Sequence, residues 1–122
     1  MERTNFEKLK VYQLSERLAD EIWNVVLKWH HVAKDTVGKQ AIRSSDSIGA
    51  NIAEGSGRGS LMDNRRFARV ARGSLYETKH WLRRAYQRKL LTAKQIESLR
   101  SLIDDLTRTL NGYIRSLKPP KP

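Results

Sequence analysis

Apolar residues recur at three- and four-residue steps along most of the chain, the period of one helical face. The first run is Val11, Leu14, Leu18, Ile22, Val25 and Trp29. It predicts a helix that starts between Asn5 and Lys10 and reaches about residue 32. Such a helix would be about 35–40 Å long at 1.5 Å per residue. A short link over residues 30–36 would then turn the chain back, so that the second helix packs antiparallel to the first.

The second run, residues 41–55, reads AIRSSDSIGANIAEG. Val37, Ala41, Ser45, Ile48 and Ile52 fall on one face, an ordinary core stripe. The opposite face carries Arg43, Ser47, Ala50 and Glu54, with Ile42, Gly49 and Ala53 along one flank. Between Ala41 and Ala53 the charges are Arg43 and Asp46 alone. A helix so short of charge is normally covered on more than one side. The rest of this short chain is expected to cover one side, and a second copy of the chain the other. Gly55 reads as the C-cap.

Gly55-Ser-Gly-Arg-Gly-Ser60 follows. It lacks the Gly-Lys-Ser/Thr ending and the preceding strand of a phosphate-binding P-loop. It reads as a flexible turn, with an anion-binding turn through Arg58 as the alternative. Ser60 and Asp63 resemble a capping box at the start of a third helix, residues 61–89. Its core stripe is Phe67, Val70, Ala71, Ser74, Leu75, Thr78, Leu82 and Ala85. Opposite stand Arg65, Arg69, Arg72, Tyr76, Lys79 and Arg83, flanked by Arg66, Arg84, Arg88 and Lys89. Thr92 and Gln95 form a second capping box. It opens a fourth helix with the stripe Ile96, Leu99, Ile103, Leu106, Leu110, Tyr113 and Leu117. Prolines 119, 120 and 122 cannot continue it, so residues 118–122 read as a flexible tail. Four amphipathic segments with short links and no strand pattern predict an all-α fold. It is an antiparallel up-down-up-down four-helix bundle over residues 1–117.

Charge sharpens this picture. The 122 residues carry 24 Lys+Arg against 13 Asp+Glu, a net +11. The third helix alone holds nine Lys/Arg against Asp63 and Glu77. A solvated helix face mixes signs at i,i+4, where like charges repel by a few tenths of a kcal/mol per pair. This one-signed face points instead to phosphate contact through Arg65, Arg66, Arg69, Arg83, Arg84, Arg88 and Lys89, with Tyr76 placed to stack on a base. Arg43, Glu54, Arg58, Arg72 and Glu77 stand beside small or apolar neighbours. They read either as rim charges or as salt bridges between helices two and three or between subunits.

There is no cysteine, so neither a disulfide framework nor a thiolate metal site is expected. No apolar run is long enough for a membrane span, and the opening MERTNFEKLK has none at all. A cytoplasmic, bacterial setting fits. No serine has a His and acid around it in a hydrolase pattern. Glu77-Thr-Lys-His80 is a single Glu-x-x-His unit, whereas a di-iron bundle needs two with two further inward carboxylates. His80 also points away from the core stripe, and the adjacent His30 and His31 cannot share a helix face. No enzyme, cofactor or metal is expected.

The segment Ser47-Ile-Gly-Ala-Asn51-Ile-Ala-Glu-Gly55, with Arg58 after it, resembles the SIxxNIAEGxxR signature of the 23S rRNA-intervening sequence protein family. Val70-Ala-Arg-Gly-Ser-Leu-Tyr-Glu77 resembles its ARGSxxE block. Phe6-x-x-Leu9-x-Val11-Tyr12-Gln13 resembles its opening, and Gln40-x-x-Arg43 the step before the signature. The chain departs at Trp29-His30-His31, where the family often has a proline, and at Lys79, near which a second acid often stands. The resemblance implies a non-enzymatic homo-oligomeric bundle, typically a pentameric ring. It places Arg43, Ser47, Asn51, Glu54, Arg58, Arg72 and Glu77 at the oligomer interface or in a structural charge network. A related branch, the accessory variability determinant proteins of diversity-generating retroelements, implies nucleic-acid binding beside a reverse transcriptase. The expected partners are therefore further copies of the chain, RNA or DNA, and such an enzyme, with no membrane. The alternative is a protein–protein scaffold that binds no nucleic acid.

Overall fold

The computed structural model describes residues 5–119. Four long helices account for most of them, with no strand among the described residues. They are α1 (Lys10–Val26), α2 (Lys39–Gly57), α3 (Leu61–Gln87) and α4 (Ala93–Ser116). The main packing runs α1 on α2, α2 on α3, α3 on α4 and α4 back on α1, with α2 and α3 meeting most extensively. Leu18, Ile22, Ile48, Ile52, Leu75, Leu106 and Leu110 are fully buried at the centre. Each such side chain stabilises the fold by roughly 1.5–3 kcal/mol.

The fold departs from the sequence pattern between α1 and α2. α1 ends at Val26, six residues short of the expected boundary, and tightens through Lys28 N–H to Val25 O and Trp29 N–H to Val26 O. His30 is extended. The chain is helical again from His31, through one turn (His31–Ala33) and a π-helical turn (Lys34–Gly38) that runs straight into α2. The residues expected to form a link are therefore mostly helix. The π-turn carries one extra residue, which shifts the apolar period and leaves Val32 exposed while Val37 is buried. Gly38 makes the junction fit, because a Cβ there would stand 2.5 Å from Val26 Cγ1.

α2 does not end at Gly55. It continues to Gly57, and the left-handed residue is Gly59 (φ +77°). Gly55 is buried inside the helix, where α3 crosses it. The chain also covers α2 on two sides rather than one. Tyr12 and Ser15 of α1 lie against Gly49, and α3 lies against Ser44, Ser47 and Gly55. What remains exposed is a line through Lys39, Arg43, Asp46, Ala50 and Glu54.

α3 opens with half of the expected box: Ser60 Oγ accepts from Asp63 N–H at 3.3 Å, while the Asp63 carboxylate pairs with Arg66. It closes with Leu90 N–H on Ala85 O, Lys89 N–H on Tyr86 O, and Lys89 itself left-handed (φ 61°). That is a Schellman ending with lysine in the position glycine prefers. Of its expected core stripe, Val70 is exposed and Phe67 and Ser74 are half-buried. Val70 stands about 100° around the helix from Ala71, on the outer edge. At α4 the full capping box forms, Gln95 N–H to Thr92 Oγ1 and Thr92 N–H to Gln95 Oε1. Leu102 and Ile114 join the buried stripe there, whereas Ile96, Ile103 and Tyr113 are half-buried. Lys118 and Pro119 are exposed and non-helical, and the rest of the expected tail lies outside the described residues.

Candidate nucleic-acid interface

α3 lies between α2 and α4, so its third side faces outward. Five of the seven expected phosphate-binding residues sort onto two edges of that side, and Arg88 and Lys89 stand at its C-terminal end. Arg65, Arg69 and Arg83 fall within about 40° of one another around the helix, on the edge towards α4. Tyr76 stands among them. Arg66 and Arg84 share the edge towards α2, with Arg88 at the cap. There Arg66 pairs with Asp63 (3.4 Å) and Arg84 Nη1 donates to Gln87 Oε1 (2.6 Å). Lys89 is exposed at the turn into α4. The α4-side edge is thus the less self-neutralised of the two.

Along this edge Arg65 is half-buried, and its Nε is buried with no hydrogen-bond partner among the described residues. Arg72 donates from Nη1 to Asn111 Oδ1 of α4 at 3.2 Å, which holds it against the bundle. Lys79 Nζ stands 5.0 Å from the Tyr76 ring centroid, a cation–π contact. Beyond it, Lys79, Arg83, Tyr86 and Arg100 line a groove of about 380 Å³ between α3 and α4, with Asp104 also on its wall. Arg100 and Tyr86 were not singled out from the sequence. Arg100 sits beside Leu99 on α4, and its place on the α3 side follows only from how the two helices pack.

At the start of α3 a wider cleft of about 940 Å³ lies among Leu61, Met62, Val70 and Leu117, with Arg65 and Arg69 on its rim. Met62 is 82% exposed there. Nearby, Arg58 and Arg66 each place a guanidinium carbon 4.9 Å from the Phe67 ring centroid, tying the end of α2 to the start of α3.

The residues assigned to an interface or charge network are not gathered into one cluster within the chain. Glu54 and Arg58 pair with each other along α2 at 3.6 Å, both exposed. Glu77 Oε2 accepts from Trp81 Nε1 at 3.1 Å, one turn on. Arg43 is exposed. Ser47 and Asn51 belong to a polar seam between α2 and α3. Ser47 Oγ meets Ser74 Oγ at 3.0 Å, Asn51 Nδ2 donates to Ser47 O at 2.8 Å, and Thr78 Oγ1 donates to the buried Ser44 Oγ at 2.9 Å. These pairings run in opposite senses on the two helices, with Ser44 at Thr78 and Gly55 at Phe67.

His80 and Glu77 are both exposed on α3. Among the described residues no three His, Cys, Asp or Glu side chains converge as a metal-binding group. No helix among them is long and apolar enough to cross a membrane.

The family model of the 23S rRNA-intervening sequence protein matches residues 7–112. The chain is similar to a crystal structure of a protein of unknown function from the S23 ribosomal protein family of Bacteroides thetaiotaomicron. The two share 27% sequence identity over 86% of this chain and 95% of that one, with a TM-score of 0.78. A search of curated proteins gave no match.

Proposed function

Starting from a chain that belongs to the 23S rRNA-intervening sequence protein family, we propose a non-enzymatic, homo-oligomeric protein that binds the backbone of RNA or DNA. In this reading an antiparallel up-down-up-down bundle presents the outer face of α3 to phosphates. The observation that carries the reading is the α4-side edge of α3. Arg65, Arg69 and Arg83 line up there with no acid of α3 among them, and Arg100 joins from α4. A surface of one sign attracts polyanions at long range and binds them by releasing counterions. Sequence preference would be slight, since phosphate contacts position a strand without reading it.

Assembly into a ring, pentameric as the family resemblance suggests, would multiply this edge around an axis. Within the chain α2 is already covered on both flanks, so the support for self-association comes from elsewhere. Trp23, Leu27 and Val32 leave large apolar side chains in water at one end of the bundle. A reverse transcriptase of the retroelement type is the protein partner this reading favours.

Binding of a structured RNA followed from low to physiological salt tests the reading. Affinity should fall steeply as salt rises. A flat response, or no binding at low salt, removes it. The apolar cleft around Met62 favours a second reading, a scaffold that docks protein rather than nucleic acid. A partner retained after nuclease treatment and lost on Met62→Glu would favour that one.

A further inference from the structure

The chain has four tyrosines, and the structure treats them in two ways. Tyr12 and Tyr113 are half-buried and tie their hydroxyls to Glu16 and Asn64. Tyr76 and Tyr86 are each 58% exposed on the basic side of α3. An exposed tyrosine gains little from burial and takes no part in the core. Both rings stand beside cations, and at Tyr86 the acids Glu97 and Asp104 of α4 line the same surface. Tyr76 lies on the line of Arg69 and Arg83, and its ring is held by Lys79. Tyr86 lines the groove shared by Lys79, Arg83 and Arg100. Along the helix axis the two are about 15 Å apart.

We infer that this edge of α3 is built for single-stranded nucleic acid, with phosphates on Arg69, Arg83 and Arg100 and unpaired bases stacked on Tyr76 and Tyr86. The inference rests on the phosphate-binding reading above and narrows it. A duplex offers its phosphates to the arginines, but its base faces are already stacked and cannot reach the rings. An unpaired strand offers both. Stacking tolerates any base, because every base has a π-face. Asp104, on the groove wall, repels a phosphate but accepts a hydrogen bond from a base N–H, whether an exocyclic amino group or the N3–H of uracil and thymine. It therefore favours a base edge at Asp104 itself and backbone on the arginines, Arg100 of α4 included.

Fluorescence anisotropy at fixed salt, with a uridine or thymidine homopolymer and a duplex of equal length, tests this. Wild-type protein should prefer the single strand. Tyr76→Ala and Tyr86→Ala should each weaken single-strand binding about tenfold, the scale of one lost stack, and leave duplex binding unchanged. Tyr76→Phe and Tyr86→Phe should bind as wild type does, since a phenyl ring still stacks. Equal affinity for the two forms, or alanine variants that weaken both alike, overturns the inference and leaves phosphate binding standing. Binding of neither form overturns both.

Discussion

Gly55 of α2 lies so close to α3 that a Cβ built on it would stand 2.8 Å from Phe67 Cβ and 3.1 Å from Asn64 O. Gly55→Ala must push the two helices apart. Overpacking of this kind costs roughly 1–3 kcal/mol, against roughly 1 kcal/mol gained in helix propensity. Gly73→Ala meets no atom within 4 Å and should gain that propensity outright. Urea unfolding should therefore move the midpoint down for Gly55→Ala and up for Gly73→Ala. A rise for Gly55→Ala as well would show that Gly55 is not a packing residue.

Lys89 holds the left-handed position that closes α3. A side chain there costs roughly 1–2 kcal/mol that glycine does not incur. Lys89→Gly should raise the melting temperature, while removing one exposed cation from the basic end of α3. A lower melting temperature would mean that the lysine side chain makes a contact worth more than the strain.

Asp46 of α2 is exposed, yet it titrates above the ordinary carboxylate value, because partial desolvation of its carboxyl disfavours the charged form and the carboxylate of Asp20 adds repulsion. An acid raised in the folded state supports folding below its unfolded pKa and loses that contribution as pH rises through its folded pKa. At neutral pH the charge is therefore a small burden. Asp46→Asn should raise the melting temperature at pH 7, and the difference should vanish at pH values below the ordinary carboxylate range. A gain of equal size at both pH values would contradict this.

Sedimentation of dilute protein should show a species several times the single-chain mass. Trp23→Glu with Leu27→Glu, which charges the exposed apolar end of α1, should shift it towards the monomer without unfolding it. A well-folded wild-type monomer at all concentrations would remove self-association from the account.

Local signals were the most legible in the sequence. The Thr92–Gln95 box depends on residues three apart and forms as read. At Ser60 only the cap half of the expected box forms, because the Asp63 carboxylate turns to Arg66. The four helices and most of their buried stripes followed from periodicity. What the sequence hid depends on neighbours distant along the chain. The π-turn over Lys34–Gly38 breaks the very period used to find helices. Gly55 looked like a terminator because its partner, Phe67, lies beyond the loop. The same holds for the site. Arg65, Arg69 and Arg83 were visible as a one-signed stripe. Their separation from Arg66 and Arg84, and the arrival of Arg100, depend on which sides of α3 its neighbours cover.

The central claim is that the α4-side edge of α3 holds phosphates. Its most direct test is the slope of log affinity against log salt, compared between wild-type protein and Arg69→Gln with Arg83→Gln. Each lost phosphate contact should reduce the slope by about 1, so the double variant should lose about 2 and bind more weakly at every salt concentration. An unchanged slope and affinity would contradict the account.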